Sequence, residues 1–166
     1  MTRHLVVMGP SGNGKSALGM ALAQALGLPF IEGDDCHPPA NIARMARGEP
    51  LTDADRAPFL DAVGRALAGH PGGAVAACSA LRRQYRDQLR AVVPALVFVL
   101  PRVDRTELAR RMTSRPGHFM PPALLDSQLA TLELPQDDET AIIVDGGLPL
   151  PDLAQAVIGD LTRLPD

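Results

Sequence analysis

The residues best suited to chemistry stand near the amino terminus. Gly9, Pro10, Ser11, Gly12, Asn13, Gly14, Lys15 and Ser16 fit the spacing G-x-x-x-x-G-K-[ST], which lets a backbone curl with its N–H groups turned inward on phosphate oxygens. Lys15 supplies a mobile positive charge for the β- and γ-phosphates, and the Ser16 hydroxyl is a ligand for Mg²⁺. A second cluster, Gly33-Asp34-Asp35-Cys36-His37, follows a short apolar run. One of its two aspartates suits a turn or helix cap, and the other is available for acid–base chemistry at the end of a strand.

These residues need elements to position them. Residues 4–8 form an apolar run before the glycine-rich stretch, and residues 17–26 carry a helical pattern after it. That is the strand–loop–helix context the motif requires, with the positive end of the helix dipole starting near Lys15. The helix ends near Gly27, and residues 29–32 form a second strand. Pro38 and Pro39 open a helix through residue 46, stopped by Gly48 and Pro50. Residues 51–56 are a capped entry into a helix over 58–68, with Phe59, Leu60, Val63 and Leu67 on one face. This pair of helices, about residues 38–69, reads as a segment covering a substrate.

A third strand over 73–78 ends in Ser79. The helix over 81–92 carries Arg82, Arg86 and Arg90 on one face, with its first turn at the ligand end of the sheet. A fourth strand over 95–100 is closed by Pro101, and a helix spans 104–113. Basic residues around the Pro-Gly stretch, about 114–122, suggest a lid that brings positive charge onto phosphates. A helix over 123–132, an acidic connection over 136–140, a strand over 141–145 and a helix over 152–161 complete the chain. Five strands alternating with helices predict one three-layer α/β domain over residues 1–166 with a mostly parallel sheet.

Composition narrows the partners. The formal charge is −3 with no block of like charges, which argues against nucleic acid or an anionic membrane as partner. The apolar run 92–100 contains Pro94 and is too short to span a bilayer. The first strand begins so early that no room is left for a signal peptide. Cys36 and Cys78 make neither a disulfide framework nor a zinc spacing, which points to a reducing cytoplasm. Tryptophan is absent and only one tyrosine is present, so the core is aliphatic.

The segments GPSGNGKS, GD..HP..NI.RM..GEPL.D.DR.PFL, CSALRRQYRDQLR and GHFMP..LL.SQ...LE together resemble gluconokinase, the ATP-dependent kinase of D-gluconate, over residues 4 to about 160. The resemblance implies the fold of nucleoside monophosphate and shikimate kinases, a five-stranded parallel sheet of order 2-3-1-4-5 with a lid. It implies ATP and Mg²⁺ as cofactors, D-gluconate as substrate, a homodimer, and a product feeding the pentose phosphate or Entner–Doudoroff pathway. Position by position, it implies that Asp34 sits beside the acceptor hydroxyl as base and helps to hold Mg²⁺ with Ser16. Arg56 and Arg86 become candidates to clamp the carboxylate of gluconate, and His37, Ser79 and His118 to bind its hydroxyls. Arg111 and Arg115 become lid arginines over the phosphates, with adenine between Arg111 and residues 145–149. Glu32, Asp35, Cys36 and Phe59 depart from the commoner pattern, and the last three bear on fine specificity. A kinase of another small molecule on the same scaffold, or a nucleotide-binding switch without an acceptor, are the alternatives to this reading.

Overall fold

The computed structural model describes residues 3–114 and 122–165. Five strands, β1 (Arg3–Val7), β2 (Phe30–Glu32), β3 (Gly73–Ala77), β4 (Val97–Arg102) and β5 (Ala141–Asp145), form one sheet. Its order is β2-β3-β1-β4-β5, with every neighbouring pair parallel. The helices are α1 (Lys15–Leu26), α2 (Pro39–Ala46), α3 (Asp53–Ala68), α4 (Arg83–Val92), α5 (Arg105–Thr113), α6 (Pro122–Thr131) and α7 (Leu150–Leu161). The lid, about 114–122 in the sequence reading, falls almost wholly outside the described residues.

Parallel strands need crossovers, and the crossover helices cover both faces of the sheet. Because side chains alternate along a strand, Leu5 and Val7 point to one layer while Val6 and Met8 point to the other. The first layer packs on Leu18 and Leu22 of α1 and on Leu153 and Val157 of α7. The second packs on Leu60, Val63 and Leu67 of α3 and on Tyr85 and Leu89 of α4. Strands β1, β2 and β3 thus end together at one edge, with Val7, Ala77 and Glu32 in register, while β4 and β5 run on to Arg102 and Asp145.

Two element ends differ from expectation. Helix α3 starts at Asp53, not near Pro58, because Thr52 and Asp55 form a reciprocal capping box ahead of the proline. Pro58 forfeits one internal bond, and the carbonyl it leaves belongs to exposed Ala54. Strand β4 runs on through Pro101 to Arg102. The Val99 carbonyl faces β1, where it accepts from the Met8 amide, and the Phe98 amide faces β5. Pro101 therefore turns its missing N–H to the β1 side, past the last β1 partner at Val99, so no ladder bond is lost. Among the described residues no helix is long and apolar enough to cross a membrane.

Candidate functional site

The phosphate loop joins β1 to α1 and is braced from within. Asn13 is buried, and its Nδ2 donates to the Met8 carbonyl at 2.9 Å and to the Pro101 carbonyl at 3.3 Å. Its Oδ1 accepts from the Lys15 amide at 3.1 Å. One side chain thus ties the ends of β1 and β4 to the start of α1. Gly9 makes room for it, since a Cβ there would lie 2.0 Å from Asn13 Nδ2, on a backbone at φ 128°. The Gly9 amide donates to the Ser79 carbonyl at 3.0 Å, joining the loop to the end of β3.

Two helices hold the loop from outside. From α5, Arg111 donates to the Gly12 carbonyl at 3.2 Å and to the Gly146 carbonyl, beyond β5, at 3.0 Å. Its Nε is held by Glu107 at 3.0 Å. The guanidinium groups of Arg110 and Arg111 hold the Glu107 carboxyl down at about 2. From α6, Gln128 accepts from the Ser11 amide at 2.9 Å and donates to the Ser11 hydroxyl at 3.3 Å.

The acceptor side begins where β2 turns into a short 3-10 helix, Gly33–Cys36. Gly33 is required by contact, because a Cβ would sit 2.1 Å from the Ala77 carbonyl. This close approach presses the turn onto the end of β3 and leaves Asp34 exposed at the edge of the sheet. The Cys78 thiol registers both halves of the site. Burial pushes it up to about 12, the Ala80 amide lowers it, and the opposed charges of Lys15 and Asp34 both reach it.

His37 stacks on Phe59 of α3, with ring centroids 3.8 Å apart and planes within 10°. Burial lowers its pKa, Asp34 raises it and Arg56 lowers it further. Arg56 Nη1 donates to the Leu51 carbonyl at 2.9 Å and to the Tyr85 hydroxyl at 3.1 Å. Its Nε and Nη2 have no hydrogen-bond partner among the described residues. Tyr85 in turn donates to Asp53 at 2.5 Å. One edge of the Arg56 guanidinium is therefore fixed while the other can meet a carboxylate.

Comparison with known proteins decides the family. No family model matches the chain. The chain is 54% identical over 149 residues to a gluconokinase of Gluconobacter oxydans, covering 87% of this chain and 83% of that protein. It is 43% identical over 141 residues to the thermosensitive gluconokinase of Escherichia coli, covering 83% and 75%. The crystal structure of a gluconokinase from Sinorhizobium meliloti superposes with a TM-score of 0.90 at 48% identity, covering 97% and 92% of the two chains. The chain belongs to the gluconokinase family. It is a kinase with the sheet order that the sequence resemblance implied.

Against that family expectation, one residue is corrected. Arg86 is fully buried, and its Nε and Nη2 bond both oxygens of Glu139 at 2.7 and 3.1 Å. Its Nη1 donates to the Ala80 and Leu81 carbonyls at 3.0 and 3.3 Å. No edge is left for a substrate carboxylate. Arg86 instead fixes the turn after Ser79, where Ala80 sits at φ 42°, a conformation that costs about 1–3 kcal/mol unless its surroundings hold it. Arg90 also turns to Glu139, at 2.8 Å. Arg86 and Arg90 of the supposed basic stripe thus form an ion cluster with Glu139, and Arg82 stands apart from it at the N-cap of α4.

The remaining predicted residues divide by location. Gly9 to Ser16, Ser79 and Arg111 gather around the loop, and Asp34, His37 and Arg56 gather on the β2–α3 side. Arg115 and His118 lie outside the described residues. Two contributors were missed by sequence reasoning. Glu139 lay unremarked in an acidic connection, and Gln128 had only its place in the SQ segment. No local signal marks a partner that arrives from 53 or 117 residues away.

Proposed function

We propose that this chain transfers the γ-phosphoryl group of ATP to the 6-hydroxyl of D-gluconate. The observation that carries the reading is the phosphate loop, closed on the Ser79 carbonyl, beside the Asp34 turn pressed onto the same strand end. Lys15 and the loop amides stabilise negative charge on the β- and γ-phosphates. Asp34 orients the acceptor hydroxyl. As the acceptor oxygen bonds to the γ-phosphorus, its proton passes to an Asp34 oxygen, and the bond to the bridging oxygen breaks to leave ADP. Arg56 offers its open edge to the gluconate carboxylate, while His37, Ser79 and His118 bind hydroxyls. Arg111 and Arg115 bring positive charge from the lid side, and adenine lies between Arg111 and the loop after β5.

The residues present fit a magnesium ion. Ser16 stands in the first turn of α1 and Asp34 is an exposed carboxylate at the strand edge, while no group of three or more metal-binding side chains occurs among the described residues. A site with few protein ligands suits Mg²⁺, which keeps waters and phosphate oxygens in its shell and neutralises charge on the transferring group. The family likeness supports a homodimer, and two free cysteines support a cytoplasmic location.

A coupled assay of ATP consumption tests the reading with gluconate, other aldonates, shikimate and nucleoside monophosphates. Turnover with gluconate yielding 6-phosphogluconate is expected. Turnover with another acid and none with gluconate overturns it. Sedimentation velocity tests the dimer.

A further inference from the structure

The segment His37-Pro38-Pro39-Ala40-Asn41 places a histidine four residues ahead of a buried asparagine, and the contacts of that asparagine decide the state of the histidine ring. Asn41 Nδ2 donates to the Asp55 carbonyl at 2.9 Å and lies 3.3 Å from His37 Nδ1. Turning the amide over would set Oδ1 against the Asp55 carbonyl oxygen, two acceptors with no hydrogen between them. The orientation is therefore fixed by the backbone of α3, independently of the histidine. An NH₂ group has two hydrogens. One goes to Asp55, and the other points at His37 Nδ1, which must then be an acceptor and carry no hydrogen.

We infer that Asn41 is a positioning residue that holds His37 as the tautomer protonated at Nε2, so that the ring meets an oxygen of the sugar acid only as a hydrogen-bond donor. Three surroundings make this assignment specific. The Phe59 stack fixes the ring plane. Pro38 and Pro39 have no N–H groups at the helix start, so the Asn41 side chain is not drawn away to cap them. Asn41 itself is buried, its exposure 4%, which keeps water from substituting for its amide. The ring so held has no free lone pair directed at substrate. It is excluded as the acceptor of the hydroxyl proton, and that role stays with Asp34. The inference rests on the kinase reading for the identity of the oxygen, but not for the tautomer.

The test has two readouts. In ¹⁵N spectra of the unliganded full chain at neutral pH, His37 Nδ1 is expected at the limiting shift of an unprotonated acceptor, not at the averaged value of an exposed imidazole. In Asn41→Asp, which replaces the donor with an acceptor, Nδ1 is expected to become protonated. A protonated Nδ1 in the unsubstituted chain, or an unmoved Nδ1 in Asn41→Asp, overturns the inference whether or not gluconate is the substrate. Kinetically, Asn41→Leu is expected to raise KM for gluconate about tenfold, the worth of one hydrogen bond, with KM for ATP unmoved. Equal rises in both constants overturn the positioning role. His37→Gln, whose amide nitrogen can stand where Nε2 stood, is expected to retain more gluconate affinity than His37→Asn, whose amide stands nearer Nδ1. The reverse order also overturns it. A chain that shows the expected spectra but turns over another acid leaves the tautomer standing and moves only the substrate.

Discussion

The donor and acceptor halves of this site are built differently. The phosphate loop grows out of the core. Met8 is fully buried before it, Asn13 is buried inside it, and α5 and α6 grip it from outside. The acceptor half stands on a turn and on α2, whose only buried residue is Asn41. Its order comes from side chains bonded to backbone, such as Asn41 to Asp55 and Arg56 to Leu51. A loop that serves any nucleotide kinase can be part of the frame. A surface that chooses among small acids has to present polar edges, and polar edges are held by hydrogen bonds more than by burial.

This contrast predicts where activity and stability separate. Asp34 is exposed, so Asp34→Asn is expected to lower kcat about 10²- to 10⁴-fold while thermal melting stays unchanged. Near-normal turnover would remove Asp34 as the base. The buried Arg86–Glu139 pair behind the turn after Ser79 should behave in the opposite way. Glu139→Ala leaves buried Arg86 without its counter-ion, and chemical denaturation is expected to show a loss of about 3–5 kcal/mol.

The same pair sets an acid limit. Burial alone would raise the Glu139 carboxyl, but Arg86, the Gln136 amide and Arg90 outweigh it and hold it at about 2, below its ordinary 4.5. A depressed carboxyl stabilises the fold fully above its unfolded value. That contribution is expected to fall away as pH drops from about 4.5 toward 2, measured by denaturation across that range, and the total acid loss should be smaller in Glu139→Gln.

Smaller effects distinguish the two halves within the site. Arg56→Ala is expected to raise KM for gluconate about 10- to 100-fold, the worth of a charged hydrogen bond, with KM for ATP almost unmoved. Gln128→Ala should do the converse on a lesser scale. Freeing the Ser11 amide and hydroxyl is expected to raise KM for ATP about three- to tenfold and leave gluconate alone. Equal effects on both substrates in either variant would break the division between donor and acceptor halves.

The sequence by itself determined the periodic and local features. Apolar runs marked the five strands, Gly27 marked the end of α1, and the spacing of Gly9 to Ser16 marked a phosphate loop, because each depends on residues within one element. Asp34 and His37 were legible for the same reason, as a polar cluster directly after a strand. Element ends were less so. Pro58 and Pro101 read as boundaries by their local chemistry, but a capping box upstream and an unpaired strand side downstream absorbed them. Only the tertiary structure decided what each arginine does. Arg56 and Arg86 are alike in sequence, each a guanidinium beside a predicted ligand site. One meets a tyrosine hydroxyl and keeps an open edge, and the other meets a buried carboxylate 53 residues away and keeps none. The physical reason is that a charge acquires its role from the group that desolvates and pairs with it, and that group is chosen by the fold.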